Sequence, residues 1–206
     1  MEEILKNAQK YCTRVLMGSR CKSLPFHNVE HTMEVFSNVK KIGSYGYLNN
    51  DELKPVLLAA LFHDTGNATV FKGHENFSVI KATDFLNGQN YPVEKLKMVT
   101  DCIKATRMPQ EPKNYLEEII CDADLFHLGT KFFTAKNKLI RQEWEKFLEV
   151  RYTDEAWYAL NITFLEQHRY HTKYGKDLLE PIKQKNLNQL KQKYTQVYLK
   201  RSTNPF

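Results

Sequence analysis

The sequence lacks any apolar run long enough to cross a membrane, any closely spaced pair of cysteines, and any sustained strand-type alternation. Each absence removes a class of protein. Four cysteines, Cys12, Cys21, Cys102 and Cys121, lie far apart without a Cys-x-x-Cys pair, which excludes a disulfide scaffold or a zinc knuckle and points to reduced thiols. Cys121, in an apolar stretch, reads as a small core residue. The opening Met-Glu-Glu-Ile-Leu-Lys is acidic where a secretion signal is basic, and no long apolar stretch follows, so a cytoplasmic location is expected. No sequence motif of an RNA- or DNA-binding module is present, which makes nucleic acid an unlikely partner.

What is present describes an ordinary globular chain. Its 206 residues, 42% apolar and 12% aromatic, suffice for one domain with a sizeable core. A net charge of +6 and a pI near 9.0 permit anionic partners, nucleotides among them. Much of the excess sits in Lys183, Lys185, Lys191, Lys193, Lys200 and Arg201. Interleaved with Leu187, Leu190, Tyr194, Val197 and Leu199, these read as the wet face of a last amphipathic helix. A second copy of the chain is an allowed partner; a membrane is not.

Helical periodicity dominates. It predicts helices over about 2–17, 28–42, 50–65, 74–86, 93–105 and 114–128, then three longer ones over about 131–150, 154–172 and 176–199. Asn28 suits an N-cap, Asn50 or Asp51 starts the third helix with Pro55 in its first turn, and Gly66 ends it. Arg201 to Phe206 reads as a frayed tail. The expectation is a single all-α domain over 1–206, with a site-bearing core at about 26–128 and C-terminal helices at about 131–199 completing it.

The third helix carries the clearest sign of chemistry. Val56-Leu-Leu-Ala-Ala-Leu-Phe62 is apolar on every side, hence buried, and runs straight into His63-Asp64. Ionisable groups there need a metal or a close ion pair. Three further pieces accompany the doublet: Phe26-His27-Asn28-Val29-Glu30-His31 at a helix start, Gly73-His74-Glu75 at another, and Asp122-Ala123-Asp124 in an apolar helix. Imidazole with carboxylate suits zinc, iron, manganese or nickel, whereas calcium wants oxygen alone and structural zinc brings thiolates.

The ordered set His31, His63-Asp64 and Asp124 resembles the HD-domain metal-dependent phosphohydrolase superfamily, which is all-helical. The resemblance spans about Phe26 to Leu128. It is strongest to small stand-alone phosphohydrolases, while the His27–His31 and Ala123-Asp124-Leu125 elements look like those of class I cyclic-nucleotide phosphodiesterases. It implies that His31, His63, Asp64 and Asp124 hold one divalent cation (manganese, nickel, iron, zinc or magnesium) that generates the attacking hydroxide, with Asp64 able to bridge to a second. It also implies His27 as general acid; the other reading of His27 is a histidine orienting His31. His74 is open between a second-metal ligand, a phosphate contact and a helix cap, and the second site lacks a histidine in Ile103–Arg107. Lys104 and Arg107 are candidate phosphate contacts, Asp122 a supporting or surface residue. His168 and His171 are candidates to stack a base.

The function so implied is hydrolysis of a phosphate mono- or diester, of a nucleotide or related small metabolite. Two other classes use similar residues. A di-iron, O₂-dependent oxygenase of the same fold needs a fuller histidine set. A catalytically inactive metal- or nucleotide-sensing module would not need the full set His31, His63, Asp64 and Asp124.

Overall fold

The computed structural model describes residues 2–203, with side chains from Glu3 to Leu199. Among these residues the regular structure is entirely helical, as expected. The α-helices are α1 (Glu2–Met17), α2 (Val29–Tyr45), α3 (Asn50–Phe62), α4 (His74–Asn87), α5 (Val93–Ala105), α6 (Tyr115–Asp124), α7 (Phe133–Phe147), α8 (Asp154–Gln167) and α9 (Glu180–Thr203). Short 3₁₀ turns lie at Arg20–Ser23, Thr65–Ala68 and Leu125–Gly129, and a π turn at Gly175–Leu179. The chain divides into two compact units. The first holds α1 to α6 and takes back His171–Tyr174; the second holds α7 to α9.

The first unit is built around α3. Asn49 starts the helix with a capping box, its side chain accepting from the Asp51 and Glu52 N–H groups while Glu52 accepts from the Asn49 N–H. Pro55 therefore lies inside the helix rather than in its first turn, and the bond its N–H would make to Asp51 is lost. Packing outweighs that loss. Every residue from Val56 to Phe62 is at most 5% exposed, and α1, α2, α4, α5 and α6 all pack against the helix. Each large side chain so buried contributes about 1.5–3 kcal/mol. At the C-terminal end Phe62 joins Tyr11 of α1 and Phe85 of α4 in an aromatic cluster, with ring centroids 4.9 to 5.8 Å apart.

The α3 helix stops at Phe62, before Gly66. The Thr65 hydroxyl donates to the Phe62 carbonyl at 2.7 Å, and the chain tightens into a 3₁₀ turn. Gly66 is needed for a different reason than ending the helix. A Cβ there would sit 1.8 Å from the His74 carbonyl oxygen, so only glycine lets α4 approach this closely. Ser78 of α4 fastens the contact, donating to the His63 carbonyl at 2.5 Å and accepting from the Gly66 N–H at 2.8 Å.

The α8 helix is shorter than its periodicity predicts, and a distant side chain explains it. Asp122 of α6, fully buried, accepts from the His171 and Thr172 N–H groups, both at 2.9 Å, and from the Thr172 hydroxyl at 2.7 Å. Those N–H groups are thus taken out of any continuation of α8, which ends at Gln167. Beyond Asp124 the chain continues only as a 3₁₀ turn.

In the second unit, Trp157 of α8 donates to Asn137 of α7 at 2.7 Å and packs edge-on against Trp144. Lys183 corrects an expectation. Its side chain is fully buried rather than on the wet face of α9, because its ammonium donates to the His168 carbonyl at 2.6 Å and pairs with Glu180 at 3.0 Å. It thereby satisfies a carbonyl at the end of α8. The side chains of Lys200 and Arg201 lie outside the described ones. The α9 helix runs on to Thr203, and the rest of the expected tail, residues 204–206, lies outside the described residues.

Replacing Gly66 by alanine is expected to destabilise the protein by about 1–3 kcal/mol, since backbone rather than a pliable side chain blocks the new methyl. Chemical denaturation measures this, and an unchanged midpoint would contradict the close approach.

Candidate metal centre

Four elements of the first unit converge at the end of α3. Asn28 caps α2, its carboxamide oxygen accepting from the Glu30 and His31 N–H groups, and so places His31 in the first turn with its side chain buried. The apolar α3 delivers His63 and Asp64, 1% and 3% exposed. Asp124 is the last residue of α6, and His74 the first of α4. His31, His63 and Asp124 each turn one ligand atom inward, all within 4.8 Å of one another. The His31 Nε2 stands 3.1 Å from Asp124 Oδ1 and 3.5 Å from Asp64 Oδ2. The His63 Nε2 stands 3.3 Å from Asp64 Oδ2 and 3.6 Å from Asp124 Oδ1.

The two oxygens of Asp64 have different surroundings. Oδ1 is held by the protein: the Asn67 amide donates to it at 3.2 Å, and His74 Nε2 lies at 3.1 Å. Oδ2 is buried without a hydrogen-bond partner among the described residues, as is His63 Nε2. The tautomer of His63 explains why this matters. Its Nδ1 lies 2.9 Å from the Ala60 carbonyl, which can only accept, so Nδ1 carries the hydrogen and the neutral ring presents a lone pair at Nε2. In that neutral form two electron-rich atoms would face each other at 3.3 Å in a dry interior. Such a pair is costly unless a cation or a proton lies between them. Two imidazole nitrogens with two carboxylate oxygens fit a first-row divalent ion.

Electrostatics follow the same geometry. Burial opposes charge on Asp64, but His63, His27 and His74 outweigh it and hold the carboxyl well below its usual range. Burial likewise opposes charge on Asp124, and His31 and His63 outweigh it, lowering that carboxyl too. For His63 burial disfavours the cation, yet Asp64 and Asp124 raise its pKa well above the ordinary value. His74 is raised in the same way, burial being overcome by Asp64. Asp122 differs: burial pushes its carboxyl up, partly offset by the His171 and Thr172 bonds, and its contacts tie down the chain rather than joining the cluster.

The remaining candidate residues are placed as follows. His27 lies half-buried beside His31, ring centroids 5.7 Å apart and planes nearly perpendicular. His74 does not cap its own helix with its side chain; its Nδ1 lies 2.8 Å from the Phe71 carbonyl, which directs Nε2 at Asp64. Arg107 bonds Asn76 at 2.7 Å and lies 3.6 Å from Glu75, in the first turn of α4 next to His74. Lys104 sits 3.8 Å from Asp101 with its side chain 56% exposed, apart from the contacts that join the cluster. His168 caps the end of α8 and packs edge-on against Tyr170 in the second unit, while His171 is fixed by its backbone to Asp122. Asn67 and Ser78 are additions that the sequence did not disclose. Both act through polar contacts made at a distance in sequence or within a tight turn, and neither leaves a periodic signal.

No helix among the described residues is long and apolar enough to cross a membrane. No curated protein and no solved structure matches the chain. Residues 28–129 match the HD domain family, a stretch that contains His31, His63, Asp64, His74 and Asp124. Members of that family are mostly metal-dependent phosphohydrolases. This segment, which carries the whole histidine–carboxylate cluster, is an HD domain.

Proposed function

We propose that the protein is a metal-dependent phosphohydrolase that cleaves a phosphate mono- or diester of a nucleotide or related small metabolite. The observation that carries this reading is the facing pair His63 Nε2 and Asp64 Oδ2, both buried and neither hydrogen-bonded to a described residue. A cation satisfies both atoms at once. His31, His63, Asp64 and Asp124 would hold it, and manganese, nickel, iron, zinc and magnesium are the ions to test. Bound there, it lowers the pKa of a water molecule and polarises a phosphoryl oxygen.

The side chains divide the remaining work. Asn67 and His74 engage Asp64 Oδ1 and stop the carboxylate from rotating, so that Oδ2 stays turned to the histidines. His27 stands beside His31 but outside the ligand set, close enough for its charge to lower the pKa of Asp64. Its imidazolium donates a proton to the leaving ester oxygen as the bond to phosphorus breaks. Arg107, just beyond α5 with its side chain 49% exposed and reaching the start of α4, supplies guanidinium donors for non-bridging phosphate oxygens, and Lys104 adds charge one turn away. The positive net charge of the chain favours encounter with an anionic substrate.

Replacing Asp64 with asparagine is expected to remove most of the bound metal and essentially all phosphate release, with the helical circular dichroism retained. Metal analysis and a screen of nucleotide mono- and diesters read this out, and full metal with full turnover in the variant would contradict the assignment. Replacing His27 with alanine is expected to leave metal content intact and slow turnover by about 10²–10⁴-fold. An unchanged rate would leave His27 without the proton-donor role.

A further inference from the structure

Arg20 lies in the short turn after α1, outside the segment that matches the family and outside the ligand cluster. Its contacts nevertheless end on that cluster. The guanidinium Nε donates to the Asn67 carbonyl at 2.6 Å, and the guanidinium carbon sits 4.1 Å from the centre of the Phe71 ring. Asn67 is the residue whose amide donates to Asp64 Oδ1, and Phe71 is the residue whose carbonyl receives the His74 imidazole. Both partners of Asp64 Oδ1 are therefore braced by one side chain.

The arrangement is not explained by stability. The Arg20 Nη2 is buried with no hydrogen-bond partner among the described residues, an arrangement that costs free energy. A smaller apolar residue would cover Phe71 without that cost. A planar cation that both stacks and donates is what fixing two separate points of a loop requires. The loop from Thr65 to Gly73 is held to α4 by the Gly66–Ser78 bond and by the Phe71 carbonyl at His74, and Arg20 holds it from an element earlier in the chain.

We infer that Arg20 is a positioning residue for the metal centre: through the Asn67 carbonyl and the Phe71 ring it fixes the loop that follows His63-Asp64, and so sets the orientation of the Asp64 carboxylate and the His74 imidazole. This rests on the cation-binding reading above. Residues that orient metal ligands from behind typically change metal affinity about 10–100-fold when removed.

The test is cobalt(II) titration of the chelator-stripped full-length protein, following both the dissociation constant and the visible d–d spectrum. For Arg20→Met we expect the dissociation constant to weaken about 10–100-fold and the spectrum to change, with far-ultraviolet circular dichroism retained. Arg20→Lys, which keeps a cation and a donor, is expected to recover part of the affinity. Should Arg20→Met fail to fold, Phe71→Leu removes the stacking surface alone and is expected to shift the spectrum in the same sense. Wild-type affinity and spectrum in whichever of these two variants folds would overturn the inference while leaving the metal site standing. A wild-type protein that binds no cobalt at all would overturn the functional reading and this inference together.

Discussion

The structure of the first unit depends on one interaction: a carboxylate, Asp64, buried at the end of an apolar helix within 3.5 Å of imidazole nitrogens of the adjacent His63 and of two other points of the chain, His31 and His74. A carboxylate has two oxygens, and here they are used differently. One is fixed by Asn67 and His74; the other is left facing His31 and His63. That division turns a buried charge, which a core ordinarily excludes, into a directed electron-rich site.

The surrounding fold serves to make that direction permanent. The aromatic cluster of Tyr11, Phe62 and Phe85 anchors the residue immediately before His63. Gly66 lets the start of α4 close to within contact, and Ser78 buckles the two segments together. Thr65 ends α3 so that the doublet leaves the helix and can present both side chains to one point. Each of these contacts is short-range and geometrically exacting. Apolar burial in α3 supplies the free energy, and the polar contacts supply the orientation.

Much of this was legible in the sequence, for identifiable reasons. The apolar run before His63 forces that helix inward, so the doublet had to be buried, and Asn28 marks the start of the helix that carries His31. The boundary of α8 failed because a distant polar partner intervenes. The pattern of α8 continues past Gln167, but Asp122 claims the N–H groups of His171 and Thr172. Lys183 has the composition of a surface residue and is buried because the end of α8 offers it a carbonyl. Arg20 and Asn67 were invisible because one bonds a backbone carbonyl, which any residue possesses, and the other reaches back only three residues. Nothing in composition marks the division between Leu125 and Phe126, since the apolar pattern runs through it.

The central claim is that the imidazoles and carboxylates at the end of α3 exist to hold a divalent cation. Elemental analysis of the purified protein, followed by calorimetric titration of the chelator-stripped protein with manganese(II), addresses it directly. The account predicts at least one equivalent of divalent metal bound, a saturable site on titration, and release of protons to solvent as the metal displaces them from the imidazole nitrogens. A protein that carries no metal and binds none would contradict it, and would leave the cluster as a self-compensated set of buried charges.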